Sequence, residues 1–447
     1  MLSAVKVIPS DGICPPWANF APMTLDQPRS AAPPIGFAPP YIDEATIAAV
    51  ERVLRSGWIT TGPETSAFEE ELAAYTGADQ VVCGGSWTGL AGVVLDWFGV
   101  GPGDEVILPA YTYCATANVV LHRGATPVLL DLPPGEKSDG LNVTWDQVAS
   151  RLSSRTKVIM PVDIGGWPVH HSQWKSRLEA WSKQNGFVAN HPEQSALGRP
   201  LLLADSAHSL GAEIEGKALG HQADITLFSF HAVKNLTTAE GGAAGISLPD
   251  SFSADAVKKQ LKSLCLHGQT KDADAKFRAS GRGAWQYDVT APGFKCNMTD
   301  IQAAMGRVAL SRYAEDLQHR RSLADAYDVG LSQVSAITLP FRIDLQRKSA
   351  DHLYPIQLSE EWMPFRDDIM AELAERGIAT NVHFPPIPLL TAYAERGFDV
   401  VDYPESHQAF LRAISLPIHR HMSLSDVQRV CHAIAEIGSQ LPVSRTS

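Results

Sequence analysis

From residue 41 onward the apolar positions fall into two kinds of spacing. Asp43 precedes Ile47, Val50 and Val53, which keep a helical period up to Ser56-Gly57. That spacing predicts a helix capped by the aspartate and stopped by the glycine. Phe68, Leu72 and Tyr75 predict a second helix, closed by Gly77. Short runs rich in Val, Ile and Leu follow at 80–83, 106–109, 127–130, 157–162, 201–204 and 225–230, separated by stretches long enough for helices. Runs that are apolar throughout imply strands covered on both faces, hence a mostly parallel sheet flanked by helices. In such sheets ligands collect beyond the carboxyl ends of the strands. After Gly293 the pattern turns helical: Thr299 can cap a helix through Ile301, Ala304, Met305 and Val308, and further helices are expected over about 360–376 and 423–437. The fold class read from this order is α/β. It divides into a proline-crowded arm over 1–40, a large domain over 41–290 and a smaller C-terminal α+β domain over 291–447. The polar stretch 185–200 reads as a surface insertion, and no internal repeat is visible.

Composition narrows the class. A chain of 447 residues, 45% hydrophobic, can bury a large core and suits two joined domains. Its net charge of -12 comes from acids spread along the sequence, with no basic stripe, so nucleic acid is not an expected partner. No apolar run approaches the roughly 20 residues that cross a bilayer, and Met1 to Pro9 lacks a secretory apolar stretch, so no membrane partner and a cytoplasmic location are expected. The six cysteines, Cys14, Cys83, Cys114, Cys265, Cys296 and Cys431, form no CxxC pair and are read as reduced, mostly buried thiols. Asn142-Val143-Thr144 matches a glycosylation acceptor without carrying weight. The histidine pairs His170-His171 and His419/His421 lack ligand spacing with a third partner, so no metal is expected.

Four segments could carry chemistry. The run Leu201–Ala204 delivers Asp205 to a strand end, where a carboxylate either caps the next turn or holds a pyridine nitrogen protonated. Ile225–Phe230 leads to Lys234, bracketed by Phe230 and Leu236, with Gly241-Gly242 beyond. A lysine in an apolar setting loses part of its preference for charge, and the neutral amine is what condenses with an aldehyde. In Cys83-Gly84-Gly85-Ser86-Trp87-Thr88-Gly89 a strand runs through a glycine turn into a helix, a site for phosphate as well as a common structural turn. Tyr113 follows the strand ending at Pro109 and could stack on a flat ring or pack in the core.

Together these segments resemble the DegT/DnrJ/StrS family of pyridoxal-phosphate-dependent sugar aminotransferases, from about Tyr41 to Leu441. The resemblance rests on Ser56-Gly57-Trp58-Ile59-Thr60-Thr61-Gly62-Pro63, Gly101-Pro102-Gly103-Asp104-Glu105-Val106, Phe228-Ser229-Phe230-His231-Ala232-Val233-Lys234-Asn235 and Asn297-Met298-Thr299-Asp300-Ile301-Gln302-Ala303-Ala304. It implies the fold type I architecture and pyridoxal 5'-phosphate (PLP) as cofactor, carried by Lys234 as a Schiff base. Lys234 and Asp205 are then the catalytic residues, Asp205 pairing with the ring nitrogen. His208 is expected near the phenolic oxygen, Ser229 at the phosphate, and Tyr113 on the ring. Ser86, Trp87 and Thr88 form the phosphate turn, in which Trp87 departs from the threonine usual in the family. Asn297 is expected to reach the phosphate of a partner subunit, which implies a homodimer. His383 and Thr60 are expected toward the substrate.

The implied reaction moves an amino group from glutamate or glutamine to a keto sugar, most simply a nucleotide-linked 3- or 4-keto-deoxy sugar, with a cyclitol ketone as the nearest rival. A dehydratase on the same scaffold has histidine in place of the lysine, and Lys234 argues against it. A catalytically silent scaffold protein would not be expected to keep both Asp205 and Lys234.

Overall fold

The structure is a computed structural model that describes residues 33–135, 139–271 and 285–442; most of the expected arm, with Cys14, lies outside them. Helix α1 (Glu44–Ser56) is capped as its sequence dictates, Asp43 accepting the Thr46 amide and Gly57 closing the helix at φ 74°. Helix α2 (Pro63–Thr76) ends on Gly77. The large unit then alternates β1 (Gln80–Gly84), α3 (Trp87–Trp97), β2 (Glu105–Pro109), α4 (Cys114–His122), β3 (Thr126–Leu130), β4 (Thr156–Ile159), α5 (His171–Asn185), α6 (Pro192–Leu197), β5 (Leu201–Asp205), β6 (Ile225–Ser229), β7 (Gly242–Ile246) and α7 (Ala254–Cys265).

The seven strands lie in the order β1-β7-β6-β5-β4-β2-β3. All neighbours from β6 to β3 pair parallel, and β7 runs antiparallel to both β1 and β6. The expected runs are all strands, with side chains of β2, β4 and β5 buried throughout. Strand β7 is the one the apolar pattern did not flag. Its sequence, Gly-Ala-Ala-Gly-Ile, has poor strand propensity. Small residues are required there because a Cβ on Gly242 would lie 2.7 Å from the Trp87 amide nitrogen and 2.8 Å from the Phe228 carbonyl oxygen.

Helix α8 (Asp300–Ser311) starts at Thr299 through a capping box with Gln302. It shares its buried face with α1 and α2: Ala304 packs with Ala49 and Val53, and Gly306 admits the Phe68 ring. Helix α9 (Tyr313–Leu331) carries the chain into a second apolar cluster, which gathers Leu323, Tyr327, β8 (Ile337–Thr338), β9 (Tyr354–Leu358), α10 (Arg366–Glu375), β10 (Ala413–Leu416) and α11 (Leu424–Gln440). The three strands form an antiparallel sheet in the order β8-β9-β10. Ile35 is buried in the same cluster and pairs with Ile378, so the end of the expected arm is an integral part of this unit.

The polar stretch 185–200 is likewise more than a surface insertion. Within it, Gln194 is fully buried and donates to the Phe98 carbonyl at 2.9 Å, and Arg199 is buried with its guanidinium 2.6 and 2.9 Å from the two carboxylate oxygens of Asp224. Asn142, buried against the Trp167 carbonyl, is closed to a sugar-transferring enzyme. Of the described cysteines all are free, Cys83, Cys265 and Cys431 buried. No helix among the described residues is long and apolar enough to cross a membrane.

Candidate active site

Strand β5 is apolar and buried up to its last residue, so its end delivers Asp205 into a setting poor in water. Thr116, in the first turn of α4, donates to Asp205 Oδ2 at 2.9 Å, and the Ala207 amide approaches Oδ1 at 3.3 Å. Thr112 stands 3.0 Å from Thr116, completing a short hydroxyl relay. Asp205 thus braces the following turn, one of its two expected roles, and it is buried. Burial pushes its carboxyl up to about 7, against these hydrogen bonds and the pull of Lys234.

Lys234 sits in the turn that leaves β6, its amide bonded to the His231 carbonyl at 2.9 Å. Desolvation brings its amine down to about 8, and Asp205 opposes that shift. Near pH 8 this lysine is therefore available as the neutral nucleophile that an ordinary lysine is not. Around it stand His208, His383 and His352. Burial, the largest cause in each, holds the first and third well below the usual imidazole value, and His383 down to about 3. His208 accepts the Gly165 N–H on Nδ1 at 3.2 Å, which leaves its proton on Nε2. His383 faces Ser415 Oγ at 2.9 Å and stacks on Phe37, ring centres 5.4 Å apart. Phe384 joins His208 to Tyr113, at 5.9 and 5.7 Å between centres.

Beyond β1, Ser86 caps α3 by accepting the Gly89 amide at 3.0 Å, and helix geometry leaves the amides of Trp87 and Thr88 with no intrahelical acceptor. The Trp87 ring is buried in the main core, so only its backbone can serve a ligand; Thr88 is exposed. Backbone closes on this turn from two sides, at Gly242 and at Cys296, whose carbonyl accepts the Gly85 amide at 2.6 Å. Ser229 ends β6, half-buried. The chemistry of this donor set fits PLP. A poised amine suits the aldehyde, a buried carboxylate the ring nitrogen, and a free helix start the phosphate.

Tyr113 is 60% exposed. Thr60 and Asn297 belong to a separate cluster: the Asn297 amide donates to Thr61 Oγ1 at 2.7 Å and accepts from Lys295, and the Thr60 carbonyl accepts the Asp300 amide at 3.2 Å. Asp300 in turn caps α2 through Gly62, Thr65 and Glu64. Sequence reasoning passed over Thr116, Phe37 and His352. The Thr112/Thr116 pair, four residues apart at a helix start, was the one available signal.

The class that this fold and this site define is the fold type I, PLP-dependent transferases. Within it the chain belongs to the DegT/DnrJ/EryC1/StrS aminotransferase family, whose model matches residues 40–183 and 195–435, so the enzyme is a PLP-dependent aminotransferase. The gap in the match, 184–194, overlaps the expected insertion. The spore coat polysaccharide biosynthesis protein SpsC of Bacillus subtilis is 33% identical over 401 residues, 89% of this chain and 95% of its own. Among solved structures, Spr1654 of Streptococcus pneumoniae, assigned as a sugar aminotransferase, matches in its PMP form with TM-score 0.85 and 41% identity, covering 91% of this chain and 99% of its own. DesV of S. venezuelae matches with TM-score 0.75 and 28% identity over 92% of this chain and all of its own.

Proposed function

We propose that the enzyme transfers an amino group from glutamate or glutamine to a nucleotide-linked keto sugar, a deoxy sugar with its ketone at carbon 3 or 4, in amino-sugar biosynthesis. The observation that carries the reading is the pairing of Lys234 with Asp205 beyond the ends of β6 and β5, both brought close to neutrality by burial. The sugar is supported by the relatives, since SpsC is named for polysaccharide biosynthesis and Spr1654 for sugar amino transfer. A cytoplasmic homodimer belongs to the same proposal.

In this reading Lys234 holds the cofactor's aldehyde and Asp205 its ring nitrogen, while Ser229, Ser86 and the first amides of α3 hold its phosphate. When bound, PLP supplies a carrier for the amino group and a ring that accepts an electron pair. The rest falls to the chain. Lys234 Nζ would take a proton from the substrate carbon that bears the nitrogen and deliver it to the carbon on the other side of that nitrogen, two bonds away. Thr116 keeps Asp205 aimed and ionised against a cationic ring nitrogen. The neutral rings of His208 and His383 keep competing charge away from the amine.

The test supplies purified enzyme in its pyridoxamine form with keto sugars and cyclitol ketones. Visible absorbance should return with a nucleotide-linked 3- or 4-keto sugar and not with Lys234→Ala. A response confined to a cyclitol ketone would move the substrate class, and none at all would remove it.

A further inference from the structure

His352, which no motif announced, lies at the junction of the two units. It is buried, and its Nδ1 is 2.9 Å from Oδ1 of Asn235, the residue next to Lys234. The other end of that amide donates to the Ala350 carbonyl at 3.0 Å, which fixes which atom is oxygen and therefore puts the His352 proton on Nδ1. The His352 ring lies against His208, with centres 4.5 Å apart.

The segment around it is built to stay put. Arg342 clasps Asp351 through Nε at 2.9 Å and Nη2 at 3.1 Å, and Arg320 donates to the carbonyl oxygens of His352 and Ile418 at 3.3 and 2.7 Å. The Ala350 and Leu353 amides donate to Gly166 and Gly165, the turn whose Gly165 amide also fixes His208. A Cβ on Gly166 would stand 3.0 to 3.2 Å from the backbone of His208, Asp351 and His352, so the contact is backbone-close. Two loops of the large unit, one bearing Lys234 and one bearing His208, are thus braced by a single imidazole from the segment before β9.

We propose that His352 is a positioning residue for Lys234, acting through its Nδ1–H bond to Asn235, and that its Nε2 is not a substrate contact. A lysine amine sits at the end of a flexible stem, so its aim depends on the backbone at its root. Holding Asn235 at two points fixes that root. The inference rests on Lys234 being the cofactor's anchor.

The two amide replacements of histidine separate the roles of its nitrogens. His352→Asn places an N–H near the position of Nδ1; His352→Gln places its amide near Nε2 and abandons Asn235. In holoenzyme reduced by L-glutamate or L-glutamine, whichever the wild type accepts, the Asn variant should keep a half-reaction rate within about 3-fold, and the Gln variant should fall about 10- to 100-fold. The donor concentration giving half-maximal rate should stay within about 3-fold in both, because binding groups are untouched. The pH midpoint of the bound cofactor's visible absorbance should move in the Gln variant and hold in the Asn variant. Asn235→Ala should reproduce the Gln phenotype, and the double variant should be no worse than either single; this arm decides the matter if His352→Gln does not fold. The opposite order, Gln active and Asn inactive, assigns Nε2 to the substrate and overturns the proposal, as does full activity in all variants. A wild type whose borohydride-reduced label falls outside the Lys234 peptide would instead defeat the reading of Lys234.

Discussion

At Asp205 and Lys234 the same burial acts in opposite directions on an acid and a base, and the acid yields a sharp expectation. In the protein without cofactor the Asp205 carboxyl titrates near 7 rather than near 4. A folded-state value above the unfolded one means that the native state binds the proton more tightly. The resulting stabilisation is complete below about pH 4 and lost as pH rises through about 7. At pH 8 the empty enzyme therefore carries an ionised carboxylate in a desolvated site, at a cost of up to about 4 kcal/mol by the three-unit offset. Asp205→Asn apoenzyme should unfold at higher denaturant than wild type at pH 8, with the difference reduced to about a third at pH 5 and gone below about pH 4, while losing cofactor affinity and transamination. Equal midpoints at both pH values would show that Asp205 is better solvated than its surroundings indicate. Such a trade of stability for a poised charge is what a functional site does.

At the scale of elements, the stretch between α5 and β5 gives the clearest case of a local pattern misleading. Polar residues at 185–200 look solvated, yet Arg199 is buried in a two-point ion pair with Asp224, whose Oδ2 also accepts the Leu202 amide at 2.9 Å. The side chain that decides its environment lies 25 residues on, in the strand lead-in, where no window of sequence connects the two. Arg199→Leu should cost about 3 kcal/mol, because it strands a buried carboxylate with the Leu202 amide and Lys175, 3.4 Å away, the latter as its remaining charged partner. A urea midpoint unchanged within error would show that the stretch is anchored elsewhere. Other elements were legible because their signals are local. Asp43, Thr299 and Ser423 each cap the helix that follows them, as short-range chemistry requires. Strand β7 was not legible, since its small residues answer to the α3 turn pressed against them. Lys234 and Asp205 could be read from strand-end position; His352 could not, because its meaning is a contact with Asn235, 117 positions away.

Across the whole molecule, two of the four sequence stretches that signal the family, 56–63 and 297–304, bind each other rather than Lys234. Asp300 caps α2, and Thr61 holds Asn297 beside Gly84. Helix α8 packs on α1 and α2, so these residues beyond 291 share buried surface with the large unit. That packing makes the 297–304 stretch part of the large unit's rigid face, from which Asn297 could serve a second copy. The exposed Trp285, Tyr287 and Val289 on the approach to it, with Tyr113, offer apolar surface for such a copy to cover. Hybrids decide whether Asn297 acts across subunits. A mixture of Lys234→Ala and Asn297→Ala proteins, unfolded together and refolded, contains dimers in which one site has its own lysine and the other chain's asparagine. If Asn297 serves the partner's phosphate, that site is intact and cofactor affinity reappears in close to half of the mixed dimers' sites, although neither parent binds normally. If Asn297 serves its own chain, every lysine-bearing site still lacks it and mixing restores nothing. A mixture that sediments as monomers throughout would remove the partner subunit from the site altogether.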